Sequence, residues 1–305
     1  MSKDGVERCD VAIVGGGPAG LSAALILGRC CRRVIVFDAG RPRNSVSPEL
    51  HGFLTRDCEH PSDLRRLGRA QLERYETVTV RDAVVEDAVP EDGHFVVTTA
   101  DGTRVRARKL LLASGVKDEV PDIEGFEPTY GVSAFHCPYC DGWERRGQAI
   151  AILGKGTKGY ALALELLGWT HDIVLCTNGP HELEAEEAAC LERNGIFLEE
   201  RQITRLESKD GVLSAVAFAA GPALPREALF FSTPTNQSCG IASALGCEFN
   251  ERGSVKTGAY EKTNVPGLYV AGDASHHVEL AIVAAAEGAM AALAINAELL
   301  EEDRR

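Results

Sequence analysis

The sequence lacks the features that mark proteins that bind nucleic acids or span membranes. Its 305 residues carry 32 basic and 45 acidic side chains, for a formal net charge of −13, and contain no basic run. A patch for nucleic acid or for an anionic membrane surface is therefore not expected. The most apolar stretch, 280–300, is interrupted by Glu287, Asn296 and Glu298, which indicates a core helix rather than a membrane span.

A secretory signal sequence is also not expected from the N-terminal residues. The charged N-terminal residues run directly into a predicted strand, without the apolar segment of a signal peptide. The 10 cysteines are spread over a long chain and do not form the dense pattern of a small disulfide-stabilised domain. We therefore expect a cytoplasmic protein whose thiols are mostly free.

Only one pair of cysteines has a spacing that suggests chemistry, in the segment His136-Cys137-Pro138-Tyr139-Cys140-Asp141. A structural zinc site would need a second Cys/His pair at ligand spacing, and the remaining cysteines do not offer one. Thiols two residues apart beside a carboxylate suit thiol–disulfide exchange, because neighbouring charges decide which sulfur is the thiolate. We expect a redox-active pair, with Asp141 moving the proton; His136 is either a second candidate or a polar neighbour.

A complete dinucleotide-binding pattern lies near the N-terminus. An apolar strand at 10–14 leads into a glycine-rich turn and a helix, and a second strand at 33–37 ends in an acid. Such a turn lets the backbone approach a pyrophosphate, the helix start offers N–H groups, and the acid accepts from a ribose hydroxyl. The candidate ligand-binding residues are Gly15, Gly17, Pro18, Ala19, Gly20 and Asp38.

Other segments of the same half of the chain extend this pattern. A buried strand ends in Ala113-Ser-Gly115, small residues that let the backbone approach a ligand. Arg41 and Arg43, shortly after the acid, could reach a phosphate or be solvated. The alternating runs 78–84, 95–99 and 104–108 predict an antiparallel meander.

A second glycine-rich turn, with Gly154, Gly156 and Gly159, follows the cysteine pair between a strand and a helix. It predicts a second dinucleotide site. The position for a ribose-binding acid, or for a basic cluster that binds a 2′-phosphate, falls on 177–179, Thr-Asn-Gly, and holds neither. Lys155 and Lys158 could substitute for the missing cluster.

A further carboxylate lies near the C-terminus, where a strand ends in Ala-Gly272-Asp273 before the last helix. This arrangement places the Asp273 carboxylate and a helix N-terminus at a ligand. The alternative for Asp273 alone is an N-cap.

Taken in order, these motifs resemble the low-molecular-weight thioredoxin reductases over nearly the whole chain. The resemblance implies an α/β fold with two Rossmann-like nucleotide-binding domains, the second inserted into the first. The FAD-binding domain would comprise 1–117 and 243–305. The insert, 118–242, would be an NAD(P)-binding-like domain that carries the redox disulfide. A homodimer is implied as well.

The same resemblance assigns roles to individual residues. The first glycine-rich turn and Asp38 would hold the ADP half of FAD, and Gly272-Asp273 the ribityl or flavin end. Cys140 would face the flavin, Cys137 would attack the substrate, and Asp141 would be the acid/base.

The last helix departs from the family pattern. Glu279-Leu280 stands where the family has Arg-Gln, with His276 and His277 just upstream. We expect the helix to start near Glu279, with its N-terminus toward the flavin and the Glu279 side chain pointing away from the ring. The two histidines could act as a donor or base for a dithiol, or could be solvated.

The direction of electron flow stays open between alternatives. The segment 137–144 also resembles the dithiol oxidases that close disulfides in gliotoxin- and holomycin-like natural products, with oxygen as acceptor. A flavin-binding module without thiol turnover is disfavoured by the cysteine pair. We predict a thioredoxin reductase-like FAD enzyme acting on a thioredoxin-like protein or a small dithiol or disulfide, with weak or unusual use of NADPH or NADH.

Overall fold

The protein, described here by a computed structural model over residues 6–275 and 278–305, divides into two compact units. The first unit comprises residues up to 45, 52–117 and 235–305, and the second comprises 46–51 and 118–234. The sequence placed the return to the first domain at 243. The structure places it at 235, because residues 235–237 pair with the strand at 116–118 and the Ser238 amide donates to the Gly115 carbonyl.

The secondary structure elements are numbered in chain order. The strands are β1 (Glu7–Val14), β2 (Val34–Asp38), β3 (Val78–Asp82), β4 (Val85–Glu91), β5 (His94–Thr99), β6 (Arg104–Leu112), β7 (Val116–Asp118), β8 (Ala134–Phe135), β9 (Ile150–Leu153), β10 (Ile173–Cys176), β11 (Phe197–Glu199), β12 (Ile203–Lys209), β13 (Val212–Phe218), β14 (Leu224–Pro225), β15 (Ala228–Phe231), β16 (Thr235–Gln237) and β17 (Leu268–Val270). The helices are α1 (Pro18–Arg29), α2 (Pro61–Leu72), α3 (Phe126–Thr129), α4 (Pro138–Asp141), α5 (Gly156–Leu166), α6 (Ala185–Arg193), α7 (Ile241–Ala244) and α8 (Ala281–Glu302).

The first unit is built on a sheet with the strand order β3-β2-β1-β6-β5-β4, and β17 also pairs with β6. The strands β3, β2, β1, β6 and β17 are parallel, whereas β4, β5 and β6 form an antiparallel meander. The prediction for 78–84 was therefore wrong, because this segment pairs in parallel with β2 and β4 takes its place in the meander. Alternation shows that a strand has one buried face, but it does not identify the partner strand.

Helix α1 packs on this sheet and against the last helix, α8. The pairing is close because Gly288 of α8 has no side chain: a Cβ atom there would lie 2.0 Å from the Ala19 carbonyl oxygen. The apolar face of α8 is buried in the same core as Leu27 and Ile13.

Helix α8 is the one helix among the described residues that is long and apolar enough to cross a membrane. Its packing against α1 accounts for the apolar face, as the sequence predicted for a core helix.

The C-terminal end of α8 is tied to the sheet by a cluster of charged side chains. Lys109 of β6 is 8% exposed, and its ammonium group lies 2.9 Å from Glu298 and 2.7 Å from Glu302. Burial alone would raise the pKa of Glu298, but the ammonium groups of Lys262 and Lys109 outweigh it and lower this pKa to about 2. A carboxyl with a depressed pKa stabilises the fold above its ordinary pKa, and this contribution is lost as the pH falls from about 4.5 toward 2.

Replacing Lys109 with Met is therefore expected to lower the free energy of unfolding at pH 7 by about 1–3 kcal/mol, since it removes the buried cation shared by Glu298 and Glu302 and leaves these carboxylates only Lys262 and Arg108. Urea denaturation measures the loss, and the difference from the wild type should shrink as the pH is lowered below 4.5. The control is Lys256→Met, because Lys256 lies 3.7 Å from Glu248 in a pair that is more than half exposed and should contribute under about 1 kcal/mol. Equal effects of both substitutions would contradict the assignment.

The second unit is built on a parallel sheet with the strand order β11-β10-β9-β15-β8, accompanied by the antiparallel sheet β12-β13-β14. Helix α5 packs on the parallel sheet through Leu162, Ala163 and Leu166. Both units thus have the parallel β-sheet with a crossover helix that the two glycine-rich patterns predict.

Candidate functional site

The first glycine-rich turn can be formed only by glycine at its outer positions. A Cβ atom at Gly15 would lie 2.1 Å from the Ala113 carbonyl oxygen, and one at Gly20 would lie 1.9 Å from the Gly15 carbonyl oxygen. Gly17, the N-cap of α1, has nothing within 4 Å of its Cβ position. Open space therefore lies beside a helix start whose amides of Ala19 and Gly20 have no intrahelical acceptor. This is the space that a dinucleotide phosphate requires.

Asp38 is buried at the end of β2, directly against this turn. A Cβ atom at Gly16 would meet its carboxylate at 2.3 Å. The carboxylate accepts from the Gly40 amide at 2.9 Å and from Arg65 at 2.9 Å, and Arg69 lies at 3.5 Å. The sequence missed both arginines, which lie on α2 and reach Asp38 only through the fold.

The Gly272–Asp273 turn lies in the same unit and is held by two charged residues. Gly272 has φ of +81°, and its amide donates to the Glu287 carboxylate at 2.7 Å in a buried hydrogen bond. The Arg43 guanidinium lies 3.3 Å from the Asp273 carboxylate. Glu287 was also missed as a site residue, although it is the one acid in the Ala-rich stretch 281–297, a signal that could have pointed to it.

These features fit FAD, with the residues predicted for its two ends in one unit. The turn 15–20 and Asp38 offer a cradle for the ADP half, beside Ala113 and Gly115 at the end of β6. Gly115 also has open space at its Cβ position and a φ of +66°. His276 and His277 lie outside the residues that the structure describes.

The second unit carries the cysteine pair, which forms a disulfide between Cys137 and Cys140 with the Cα atoms 5.3 Å apart. Cys137 is the N-cap of the one-turn helix α4, and Pro138 occupies its first position. Both cysteines are half-buried, whereas the neighbouring Tyr139 and Trp143 are 68% and 64% exposed. The disulfide therefore lies beside exposed aromatic side chains that an apolar or aromatic substrate could contact.

Asp141 follows the disulfide directly and is surrounded by other charged groups of the second unit. Burial is the main cause that raises the pKa of Asp141 to about 7. His51 and Arg145 lower this pKa, and Glu144 raises it. The imidazole of His51 is 13% exposed, and its Nε2 lies 3.8 Å from Glu144. A carboxyl with this pKa exchanges protons near neutral pH, which suits an acid/base.

His51 was not identified from the sequence because it comes from the short segment 46–51, far from the cysteines along the chain. His136, the second candidate for the proton transfer, has its ring beside those of Tyr130 and Phe231, at centroid distances of 6.3 and 6.4 Å. The structure thus places His136 in an aromatic cluster and His51 among the charges around Asp141.

The second glycine-rich turn is also formed as predicted. A Cβ atom at Gly154 would lie 2.9 Å from the Cα atom of Gly159, so the strand and helix pack closely. However, the Gly156 amide at the start of α5 donates to the His181 carbonyl at 2.9 Å. Lys155 lies 3.6 Å from Glu182. The segment 181–182 therefore uses groups that a pyrophosphate would otherwise bind.

The positions where the family binds the ribose or its phosphate have structural partners as well. The buried Thr177 hydroxyl donates to the Gly179 carbonyl at 2.6 Å, and the Asn178 side chain accepts from the Ile203 amide at 2.8 Å. Glu182 and Glu184 lie just beyond and are exposed, so the local charge is negative. The residues present at this turn do not fit NADPH well.

Comparisons with known proteins agree with the motifs and the fold. The family model for pyridine nucleotide-disulphide oxidoreductases matches residues 9–288. Thioredoxin reductase aclD of Aspergillus oryzae is 32% identical over 307 residues, covering 97% of this chain and 98% of the relative.

Solved structures superpose closely. TrxB of Bacillus anthracis, described as a thioredoxin reductase, has a TM-score of 0.92 at 32% identity, covering 97% and 99% of the two chains. An oxidoreductase of Agrobacterium tumefaciens has a TM-score of 0.90 at 33% identity, covering 96% and 99%. The family uses FAD and NAD(P)H. The chain belongs to the pyridine nucleotide-disulphide oxidoreductases and is a thioredoxin reductase-like, FAD-dependent enzyme.

Proposed function

We propose that substrate electrons enter or leave this enzyme through the Cys137–Cys140 pair, with Cys137 reacting with the substrate and Cys140 exchanging electrons with the flavin. The observation that carries the proposal is the disulfide beside Asp141, whose pKa of about 7 suits proton transfer at neutral pH. Bound FAD supplies the acceptor or donor for one electron pair.

A dithiol substrate would be oxidised in two thiol–disulfide exchange steps. Its first thiolate attacks the sulfur of Cys137, forming a mixed disulfide and releasing Cys140 as a thiolate. The second substrate thiol loses its proton to Asp141 and attacks the substrate sulfur of the mixed disulfide. The substrate leaves as a disulfide, Cys137 leaves as a thiolate, and one electron pair has moved to the cysteines. Reduction of a substrate disulfide follows the reverse path.

A second candidate, the dithiol oxidase, is favoured by one specific observation. The Gly156 amide and Lys155 are engaged by residues 181–182, and the acids at 182 and 184 disfavour a 2′-phosphate. We therefore propose that a small dithiol rather than NADPH or NADH supplies the electrons, with oxygen as the final acceptor.

An anaerobic comparison of electron donors tests the proposal. Oxidised holoenzyme is mixed with NADPH, with NADH or with a small dithiol, and the flavin absorbance is followed. We expect prompt bleaching by the dithiol, slow or no bleaching by either nicotinamide, and peroxide when air is admitted. Prompt bleaching by a nicotinamide would support the reductase and reject the oxidase, whereas no bleaching by any dithiol would reject thiol turnover altogether.

The cytoplasmic location and the homodimer are also part of this proposal, and both rest on sequence features or family resemblance. Sedimentation velocity at micromolar concentration tests the dimer, and a single species of monomer mass would reject it.

A further inference from the structure

Arg43 forms an ion-pair network with Asp273 and Glu279, two acids in the segment between β17 and α8. Its Nη1 lies 2.5 Å from the Glu279 carboxylate and 3.3 Å from the Asp273 carboxylate. The Arg43 side chain is 13% exposed, and those of Asp273 and Glu279 are 20% and 28% exposed. These pairs are therefore largely removed from water, where charge interactions are stronger than on an open surface.

The network accounts for an unusual feature of the sequence. Glu279 stands where the family has a cation at the head of the last helix, and an unbalanced acid there would oppose a negatively charged reduced flavin. The structure brings a cation from a distant segment, because Arg43 opens a short 3₁₀ turn, Arg43–Val46, after β2. The sequence offered phosphate binding or solvation for Arg43, and the structure adds ion pairs with Asp273 and Glu279.

Among the described residues, one guanidinium faces two carboxylates, so Arg43 acts on a nearby charge with the opposite sign to Asp273 and Glu279. Glu287 adds a further carboxylate at Gly272, but its hydrogen bond to the amide holds the turn, whereas Arg43 and Glu279 lie on the side of Asp273.

We propose that Arg43 provides the positive charge at the flavin end of the site and that Glu279 partly neutralises it, so that this pair sets the reduction potential of the flavin. The proposal rests on the family resemblance in one respect, the assignment of Gly272–Asp273 to the flavin end of FAD. A cation near the ring stabilises the reduced, negatively charged flavin more than the oxidised form, and an anion has the opposite effect. Arg43 also positions Asp273.

The two substitutions should therefore shift the potential in opposite directions. Glu279→Gln keeps the size of the side chain and removes its charge, so the guanidinium is less neutralised and the potential should rise. Arg43→Met removes the cation, and the potential should fall. We expect each change to alter the equilibrium constant between enzyme and dye by about tenfold, which corresponds to about 30 mV for a two-electron couple.

The experiment measures the potential of each purified holoenzyme anaerobically against a two-electron dye of known potential at one fixed pH. The affinity of each apoprotein for added FAD is measured by fluorescence. Glu207→Gln is the matched control, since Glu207 lies 2.9 Å from Arg205 in an exposed pair of the second unit. The flavin of this variant should have the same reduction potential as that of the wild type. Weaker FAD binding is expected for Arg43→Met alone, because Asp273 loses its anchor.

A shift in the same direction for both substitutions, or no shift in either, would overturn the proposal. If Arg43→Met does not retain FAD, the rise expected for Glu279→Gln decides the question. The outcome is separate from that of the proposed function. If dithiols do not bleach the wild-type flavin, thiol turnover is rejected, but the measured reduction potentials still test Arg43 and Glu279. If dithiols bleach the flavin and the two substitutions leave its reduction potential unchanged, only the role of Arg43 and Glu279 is rejected.

Discussion

Replacing Cys140 with Ser is expected to reduce dithiol–disulfide turnover by at least about 10³-fold, because the proposed path runs through a covalent sulfur intermediate that serine cannot resolve. FAD should remain bound, since the residues predicted to hold it lie in the first unit and Cys140 lies in the second. Steady-state kinetics measures the loss of activity, and the flavin absorbance of the purified variant measures FAD retention.

The intermediate itself distinguishes the two cysteines. In Cys140→Ser, Cys137 keeps a thiol that can form a mixed disulfide with an oxidised substrate, and mass spectrometry should detect the added substrate mass on the Cys137 peptide. Cys137→Ser should be inactive and should give no such product. The exposed Cys31 provides the control, because Cys31→Ser should retain full activity. Turnover that survives in Cys140→Ser would show that the roles of the two sulfurs are wrongly assigned.

Asp141→Asn is expected to reduce turnover by about 10²–10⁴-fold, the usual contribution of a positioned acid/base. In the wild type, the rate of the thiol step should rise through a pH of about 7 as the Asp141 carboxylate forms. The amide does not titrate, so this inflection should disappear in the variant. A pH–rate profile of the reaction with a small dithiol measures both effects.

The Asp141→Asn substitution should raise the free energy of unfolding at neutral and alkaline pH, although it lowers the activity. Burial raises the pKa of Asp141 in the folded protein above its ordinary value of 3.8, so ionisation costs folding free energy as the pH rises from about 4 through 7. Urea denaturation should therefore show Asp141→Asn to be more stable than the wild type at pH 8 and equal to it below pH 4. Asp122→Asn, an exposed acid of the same unit, should change neither activity nor stability. If Asp141→Asn keeps both the activity and the inflection near pH 7, Asp141 does not take part in the mechanism.

The parts of the site that the sequence predicted are those fixed by local geometry. The turns at 15–20 and 154–159 need glycine because the backbone approaches itself within a few residues or across adjacent strands, and such a requirement is visible as a motif. The Cys137–Cys140 disulfide is equally local, since its two residues are separated by one helical turn. The buried strands are also predictable from local sequence, because their apolar runs indicate a parallel sheet.

The parts that the sequence did not predict depend on contacts between distant segments. His51 reaches the charges around Asp141, Arg65 reaches Asp38, and Arg43 reaches Glu279 only after the chain has folded. None of these contacts has a characteristic spacing along the chain. The parallel pairing of β3 was missed for the same reason.

The second dinucleotide turn shows a further limit of motif reasoning. Its glycines indicate that strand and helix pack closely, and the structure confirms that packing at Gly154 and Gly159. Whether a ligand can use the turn depends on the segment that covers it, and here the His181 carbonyl accepts from the Gly156 amide. Helix α6 begins only at Ala185, which leaves 181–184 in a loop beside the turn.

An anaerobic titration of the oxidised holoenzyme with a small dithiol counts the electron pairs that the protein accepts. We expect flavin bleaching to be complete only after uptake of two electron pairs per chain, one at the Cys137–Cys140 disulfide and one at FAD, whereas a Cys137→Ser, Cys140→Ser double variant keeps its flavin oxidised. Uptake of a single pair by the wild type, or dithiol bleaching of the double variant at the wild-type rate, would contradict this expectation.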